Sequence, residues 1–272
     1  MGFKSQCSTM IKTYCQGLER RESGWRFMVD YLYDGTFEGL LTCVYHHYYT
    51  EKASGIFPRE EYQSTMLGGY REVETEEEKA VTVYEAIEKK ISSFTLKRIY
   101  KVFMSSVENK ENKILNYVRL GFVRGPCISM LHGDSIVVPI QEAEYKVNGE
   151  VHRMKGLVRF SQLRGGVLYS SIEPDHDIVE FLANHFSDRL KNEPFIIHDV
   201  KRSKALVAYQ GKWYISHFTK ENLPPLSSEE KAYQAMWKQY FENMAIKERI
   251  NPRCQKNLMP VRYWKNLTEF QL

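Results

Sequence analysis

The sequence predicts an α+β fold: a helical first half led by one strand, then a mainly antiparallel sheet of about five strands flanked by helices. Apolar residues recur every three to four positions through most of residues 36–154, the period of amphipathic helices. Short β-rich runs bounded by Gly, Pro and Asp gather after residue 155. Strands therefore come after the helices as a group, which argues against a doubly wound sheet.

Residues 1–24 are polar and mixed and read as a loosely attached extension. Residues 25–272 read as one domain, divisible into a helical part, 25–139, and a sheet part, 140–272. The run WRFMVDYLY at 25–33 is rich in β-forming residues and ends in the turn Asp34-Gly35. Thr36 then caps a helix with Phe37, Leu40, Leu41, Val44 and Tyr48 on one side. Residues 55–70 show no period and read as irregular. Thr75, with Glu78 three positions on, forms a capping box for a helix through Val81, Tyr84, Ile87 and Ile91. Two further helices are expected at 94–106 and 109–122. After Pro139 another turns Ala143, Val147, Val151 and Met154 inward, although Gly149 weakens it by about 1 kcal/mol relative to Ala.

The stretch 150–189 organises the second half of the chain. A helix end runs through Lys155-Gly156 into a short strand, and Arg164-Gly165-Gly166 supplies the positive-φ positions of a hairpin turn. The return strand ends at Glu173-Pro174-Asp175-His176-Asp177, where Asp175 is a plausible N-cap and Asp177 falls in the first turn of the next helix. A meander of three strands is expected at 195–200, 205–209 and 212–217. Ser228 opens a long helix to about Ile250, with Tyr233, Trp237, Tyr240 and Met244 read as its core face and Pro252 as its stop.

The chain has 272 residues, a net charge of +4 and a mean hydropathy of −0.48. These values fit a globular protein with a sizeable core and exclude a disordered one. Five scattered cysteines without a CxxC pair, no apolar run near the roughly 18 residues of a membrane span, and no signal-peptide core together suggest a cytoplasmic protein.

Three groups of residues carry candidate chemistry. Glu173, Asp175, His176 and Asp177, with His152 and His185, offer ligand types for a metal-dependent hydrolase, yet no spacing such as HExxH is present and no metal is assigned. The other reading is a polar loop capping a helix, with His185 half-buried and hydrogen-bonded. Glu150, His152 and Arg153 form the second group: Glu150 and Arg153 are spaced to pair on a helix, and an imidazole such as His152 is the residue type most often used as a general acid or base. His152, Arg153, Asp175 and His176 are the candidate catalytic residues. Together with Arg159 they are expected on one concave face, because the hairpin returns its exit beside the entry of its first strand. The third group is the tail, where seven basic residues oppose two acids between Lys238 and Lys265. Arg159, Arg249, Arg253, Lys256, Arg262 and Trp264 are the candidate nucleic-acid contacts, cations for phosphates and a ring for a base. The alternative is ordinary charged surface, with Tyr263 and Trp264 fastening the tail to the core.

The motifs LYDGTFEGLLTCVY, EVHRMKGLVRF, EPDHDIVEFLANHFSDR and MWKQYFENMAIKERINPRCQKNLMPVRYWKNLTEF occur in that order. Over about residues 26–270 the chain resembles the bacterial family named "probable DNA metabolism protein", also described as DNA repair proteins. The carboxy-terminal part of that family is a domain of unknown function, found elsewhere fused to uracil-DNA-glycosylase-like domains. The resemblance implies a DNA-binding accessory or processing factor acting with a radical-SAM protein. No CxxxCxxC run exists here, so such a cluster would belong to that partner. No cofactor is assigned to this chain. A non-catalytic adaptor remains the third reading.

Overall fold

The computed structural model describes residues 29–63, 69–244, 246–249 and 251–270. The extension 1–24 and the opening of the first expected strand lie outside the described residues. The fold is α+β, as expected, but it holds two sheets and some parallel pairing.

Strand β1 (Val29–Tyr33) leads through the Asp34-Gly35 turn into helix α1 (Phe37–Tyr49). Thr36 caps α1 as expected, its Oγ1 accepting the Gly39 N–H at 3.0 Å. Residues read as irregular contain β2 (Ala53–Pro58) and β3 (Gly69–Glu72). Both pair parallel with β1, giving a three-stranded sheet of order β2-β1-β3. Tyr31, Leu32 and Tyr33 are all buried. Successive buried residues mark a central parallel strand covered on both faces. The outer edge of β2 is closed by a side chain: Asn112 accepts from the Ile56 N–H at 2.8 Å and donates to the Ile56 carbonyl at 3.3 Å. β3 is exposed at every position, so pairing alone defines it, which is why no pattern announced it.

Helices α2 (Glu77–Lys90), α3 (Ser93–Phe103) and α4 (Lys110–Arg124) come next. The expected capping box at Thr75 is absent, because Thr75 instead donates to Asp34 Oδ2 at 2.8 Å and Glu76 occupies the cap without a side-chain bond. Helix α5 (Val137–Leu157) then spans the molecule. Its Val137, Ile140 and Ala143 close a first apolar cluster with β1, β2 and α1–α4. Its Val147, Val151 and Met154 belong to a second cluster built with the later elements.

These later elements are β4 (Ser161–Gln162), β5 (Leu168–Ile172), helix α6 (Val179–Arg189), β6 (Phe195–Asp199), β7 (Lys204–Tyr209) and β8 (Lys212–His217). They form a five-stranded sheet in simple sequence order. Gly165 and Gly166, both at positive φ, turn the β4–β5 hairpin. The meander β6–β7–β8 is antiparallel as expected, whereas β5 and β6 run parallel because α6 is inserted between them.

The terminal helix expected from Ser228 to about Ile250 is the shorter α7 (Glu230–Met244), and a further short helix, α8 (Pro252–Leu258), follows beyond the expected end. Pro252 does not stop the first helix; it opens the second, where its missing N–H costs nothing. The face of Tyr233, Trp237, Tyr240 and Met244, read as core, is exposed. Helical spacing shows that these rings share a side, not that anything covers it. Among the described residues no helix is long and apolar enough to cross a membrane.

Candidate functional site

Glu150 lies on the α5 stripe defined by Val147, Val151 and Met154, and that stripe carries it into the interior, 1% exposed. A buried carboxylate needs donors around it. Glu150 accepts from the Asp175 N–H at 2.8 Å, the His176 N–H at 2.9 Å and the Tyr263 hydroxyl. Burial, reinforced by Glu150, pushes the Tyr263 hydroxyl pKa up and so keeps it a donor. The expected surface pair between Glu150 and Arg153 is therefore not formed. A signal for this existed in the helical period, since position 150 falls between the inward positions 147 and 154 on one side of α5.

The loop 173–178 is held from several sides. Arg202, bound to buried Asp199 at 2.7 Å, donates to the carbonyls of Pro174 (3.2 Å) and Asp175 (2.6 Å). The Asp177 N–H reaches the Met104 carbonyl at 3.0 Å, and its carboxylate pairs with Lys204 at 2.8 Å. Glu173 pairs with Lys265 at 2.7 Å and Asp175 with Arg262 at 2.5 Å. Asp175 is thus not a helix cap, since α6 begins at Val179 with Ile178 before it and no side-chain cap.

His176 is buried, and its Nδ1 accepts the Ser106 N–H at 3.1 Å. A ring that accepts at Nδ1 carries its proton at Nε2 when neutral. Burial lowers the His176 pKa, against the pull of Glu150 and Asp175. The neutral ring is therefore favoured, with Nε2–H as a donor.

Beside this loop lies a concavity of about 660 Å³. Its wall includes Ser106, Lys146, His152, Arg153, Asp175, His176 and Lys201. The four candidate catalytic residues share this surface. Lys146, Lys201 and His152 are exposed on it. Arg153 is only partly exposed, and its Nε is buried with no hydrogen-bond partner among the described residues. Of the lining carboxylates, Glu150 is saturated with donors and Asp175 faces Arg262, leaving an excess of cations. Ser106, Lys146 and Lys201 carried no sequence signal, because only the packing of three separate segments brings them to one wall.

Arg159 does not join this surface. It lines a second groove and forks onto buried Glu269 at 3.2 and 2.8 Å. Arg249, Arg253 and Lys256 are exposed on the tail. Arg262 is engaged by Asp175, and Trp264 donates to the Met259 carbonyl at 2.9 Å while stacking on Phe270 at 4.6 Å. The Arg262–Asp175 pair and the Tyr263–Glu150 bond fasten the tail, whereas both Trp264 contacts lie within it. Among the described residues no three His, Cys, Asp or Glu side chains are grouped to hold a metal ion; Glu173, Asp175 and Asp177 each turn to a different cation. His185, expected to be hydrogen-bonded, leaves Nε2 without a partner among the described residues and packs edge-on against Phe186.

Comparison with family models matches residues 108–269 to a domain of unknown function, DUF4130. The match includes all the named walls of the concavity except Ser106. No curated protein matches the chain. Because the matched span exceeds half of the sequence, the chain belongs to the DUF4130 family.

Proposed function

We propose that the concavity on α5 binds nucleic-acid phosphate, and that the chain serves DNA metabolism or repair as a DNA-binding factor beside a radical-SAM partner. The observation that carries this reading is Arg153, whose buried Nε–H finds no acceptor among the described residues. A buried unpaired donor costs about 1–3 kcal/mol, and a ligand oxygen would relieve that cost. A phosphate suits a guanidinium, since the planar fork matches two of its oxygens. Lys146 and Lys201 stand on the same wall to neutralise it, and His176 Nε2–H adds a neutral donor. His152, exposed on that wall, is the group free to move a proton if a reaction follows binding. On the tail, Arg249, Arg253 and Lys256 would extend the contact along the backbone without reading sequence. The DNA assignment rests on the motif resemblance together with this cation-lined wall, and the radical-SAM assignment on the resemblance alone.

The test is a titration of labelled DNA at about 50 and about 200 mM salt. Arg153→Ala should weaken binding of unrelated sequences alike and reduce the slope of log affinity against log salt by about 0.7–0.9. Arg153→Lys should restore only part of the affinity, because it lacks the fork. Neither change should lower the melting temperature appreciably, since Arg153 Nε bonds to nothing among the described residues. Unchanged affinity and slope in folded Arg153→Ala and Lys146→Ala variants would overturn the reading.

A further inference from the structure

The exposed face of α7 is unusual for a surface helix. Tyr233, Met236 and Tyr240 are each more than half exposed, and Trp237 is 40% exposed. Isolated surface rings need no explanation, but a contiguous set on one face marks an interaction site. These side chains, with Arg159 and Phe160, line a groove of about 820 Å³, within the size range of ligand pockets.

The groove is built and not merely uncovered. The Trp237 indole N–H is held by Glu269 at 3.1 Å, and Tyr240 lies nearly parallel to the indole at a centroid distance of 5.8 Å. The Arg159 guanidinium, itself fixed by Glu269, sits 5.8 Å from the Trp237 ring centroid. Rings whose orientation is already fixed lose little freedom when a planar ligand stacks on them. The chain that leaves α7 also carries the exposed cations Arg249, Arg253 and Lys256 within about twelve residues of the helix end. A hydrophobic protein helix would use the apolar side chains but would have no need of that charge. Planar rings combined with a backbone-attracting excess of cations suit a polyanion bearing flat bases.

From this we infer that the α7 groove stacks unpaired bases of single-stranded nucleic acid. The inference rests on the phosphate-binding reading for its electrostatics and adds a strand preference to it. A duplex keeps its bases stacked on one another, so only an unpaired strand can offer them to Trp237, Tyr233 and Tyr240.

The experiment uses the full chain and three probes at one salt concentration: an oligothymidylate, an abasic oligonucleotide of equal length, and a duplex. Each is followed by anisotropy and by quenching of tryptophan fluorescence. The oligothymidylate should bind at least tenfold more tightly than the abasic strand and should quench the fluorescence. Trp237→Ala and Tyr240→Ala should each reduce oligothymidylate binding by about 5–100-fold and leave abasic and duplex binding unchanged, whereas Trp237→Phe should retain most of it. Arg153→Ala should weaken all three probes. Equal binding of thymidylate and abasic strands, unaffected by Trp237→Ala but still sensitive to Arg153→Ala, overturns the stacking groove and leaves the phosphate reading standing. Strong thymidylate binding lost in Trp237→Ala but indifferent to Arg153→Ala does the reverse. Absence of binding to every probe, or self-association through this face in sedimentation that Trp237→Ala abolishes, overturns the inference.

Discussion

At the scale of single residues, the site depends on one buried carboxylate. Glu150 faces three donors, two of them main-chain amides of the loop that carries Asp175 and His176. Glu150→Gln keeps the shape but turns an NH₂ group toward a donor, so at least one bond is lost and one repulsion gained. A cost of about 3 kcal/mol is expected from the loss of a charge-assisted bond and the stranding of a buried donor. Tyr263→Phe removes a single donor and should cost about half as much. Urea denaturation of both variants checks the order: if the Tyr263 change is the more damaging, Glu150 does not organise the loop. Sequence alone marked the inward stripe of α5 on either side of Glu150 and the polar loop at 175–176. The hairpin between them set the two segments side by side, but only packing decides that Glu150 turns inward to receive the loop amides and not outward to Arg153.

At the scale of the element, the start of α1 shows how a local signal can be both right and incomplete. The Thr36 cap was legible, and its hydroxyl also donates to Asp34 Oδ1 at 2.7 Å. Thr75 donates to the other oxygen of that carboxylate from 41 residues away. Gly39 lies against this cluster, and a Cβ there would press into Asp34 Oδ1 and come within 2.8 Å of Thr75 Oγ1. Thr36→Ala should therefore cost about 1–2 kcal/mol through the lost cap. Gly39→Ala should also destabilise, although helix propensity alone favours alanine by about 1 kcal/mol. A thermal melt in which Gly39→Ala is more stable than the parent would show that Asp34 and Thr75 can yield. The exposed rings of α7 make the complementary point. A period of 3.6 places residues on one side of a helix, and only neighbouring elements decide whether that side is covered.

At the scale of the whole molecule, α5 ties two apolar clusters together, and the buried pair Arg98–Glu144 at 2.6 Å and the Tyr100–Glu180 bond at 2.6 Å add polar links between helices of the two halves. Burial also leaves its mark on the titration of the whole chain. His47 is pushed from 6.5 down to about 4, first by desolvation and then by Arg119 and Lys52, and burial lowers His176 and His198 as well. A histidine with a depressed folded pKa binds fewer protons folded than unfolded below pH 6.5, so its contribution falls as pH drops from about 6.5 toward about 4. Buried Asp199, whose pKa burial raises, opposes this at lower pH. Global stability is therefore expected to decline on acidification through that window. His47→Asn, which keeps an acceptor for the Ala53 N–H now received by Nδ1 at 3.0 Å, should flatten the decline. Denaturation midpoints measured from pH 7 to about pH 4 check it, and an equal slope in parent and variant would remove His47 as the cause.

The sequence by itself determined the α+β class, the helices from α1 to α5, the Gly165-Gly166 hairpin and the antiparallel meander. Each of these is written in local periodicity and turn chemistry, which act over a few residues. It also singled out His152, Arg153, Asp175 and His176 as neighbours, because one helix end, one hairpin and one loop are continuous in the chain. Only the tertiary structure decided the parallel sheet, whose edge strands lack a pattern of their own. It alone brought Ser106, Lys146 and Lys201 to the same wall, turned Arg159 into a different groove, and left the rings of α7 uncovered. Those outcomes depend on contacts between segments tens of residues apart, and the free energy that selects them belongs to the pairing and packing of surfaces, not to any one stretch of sequence.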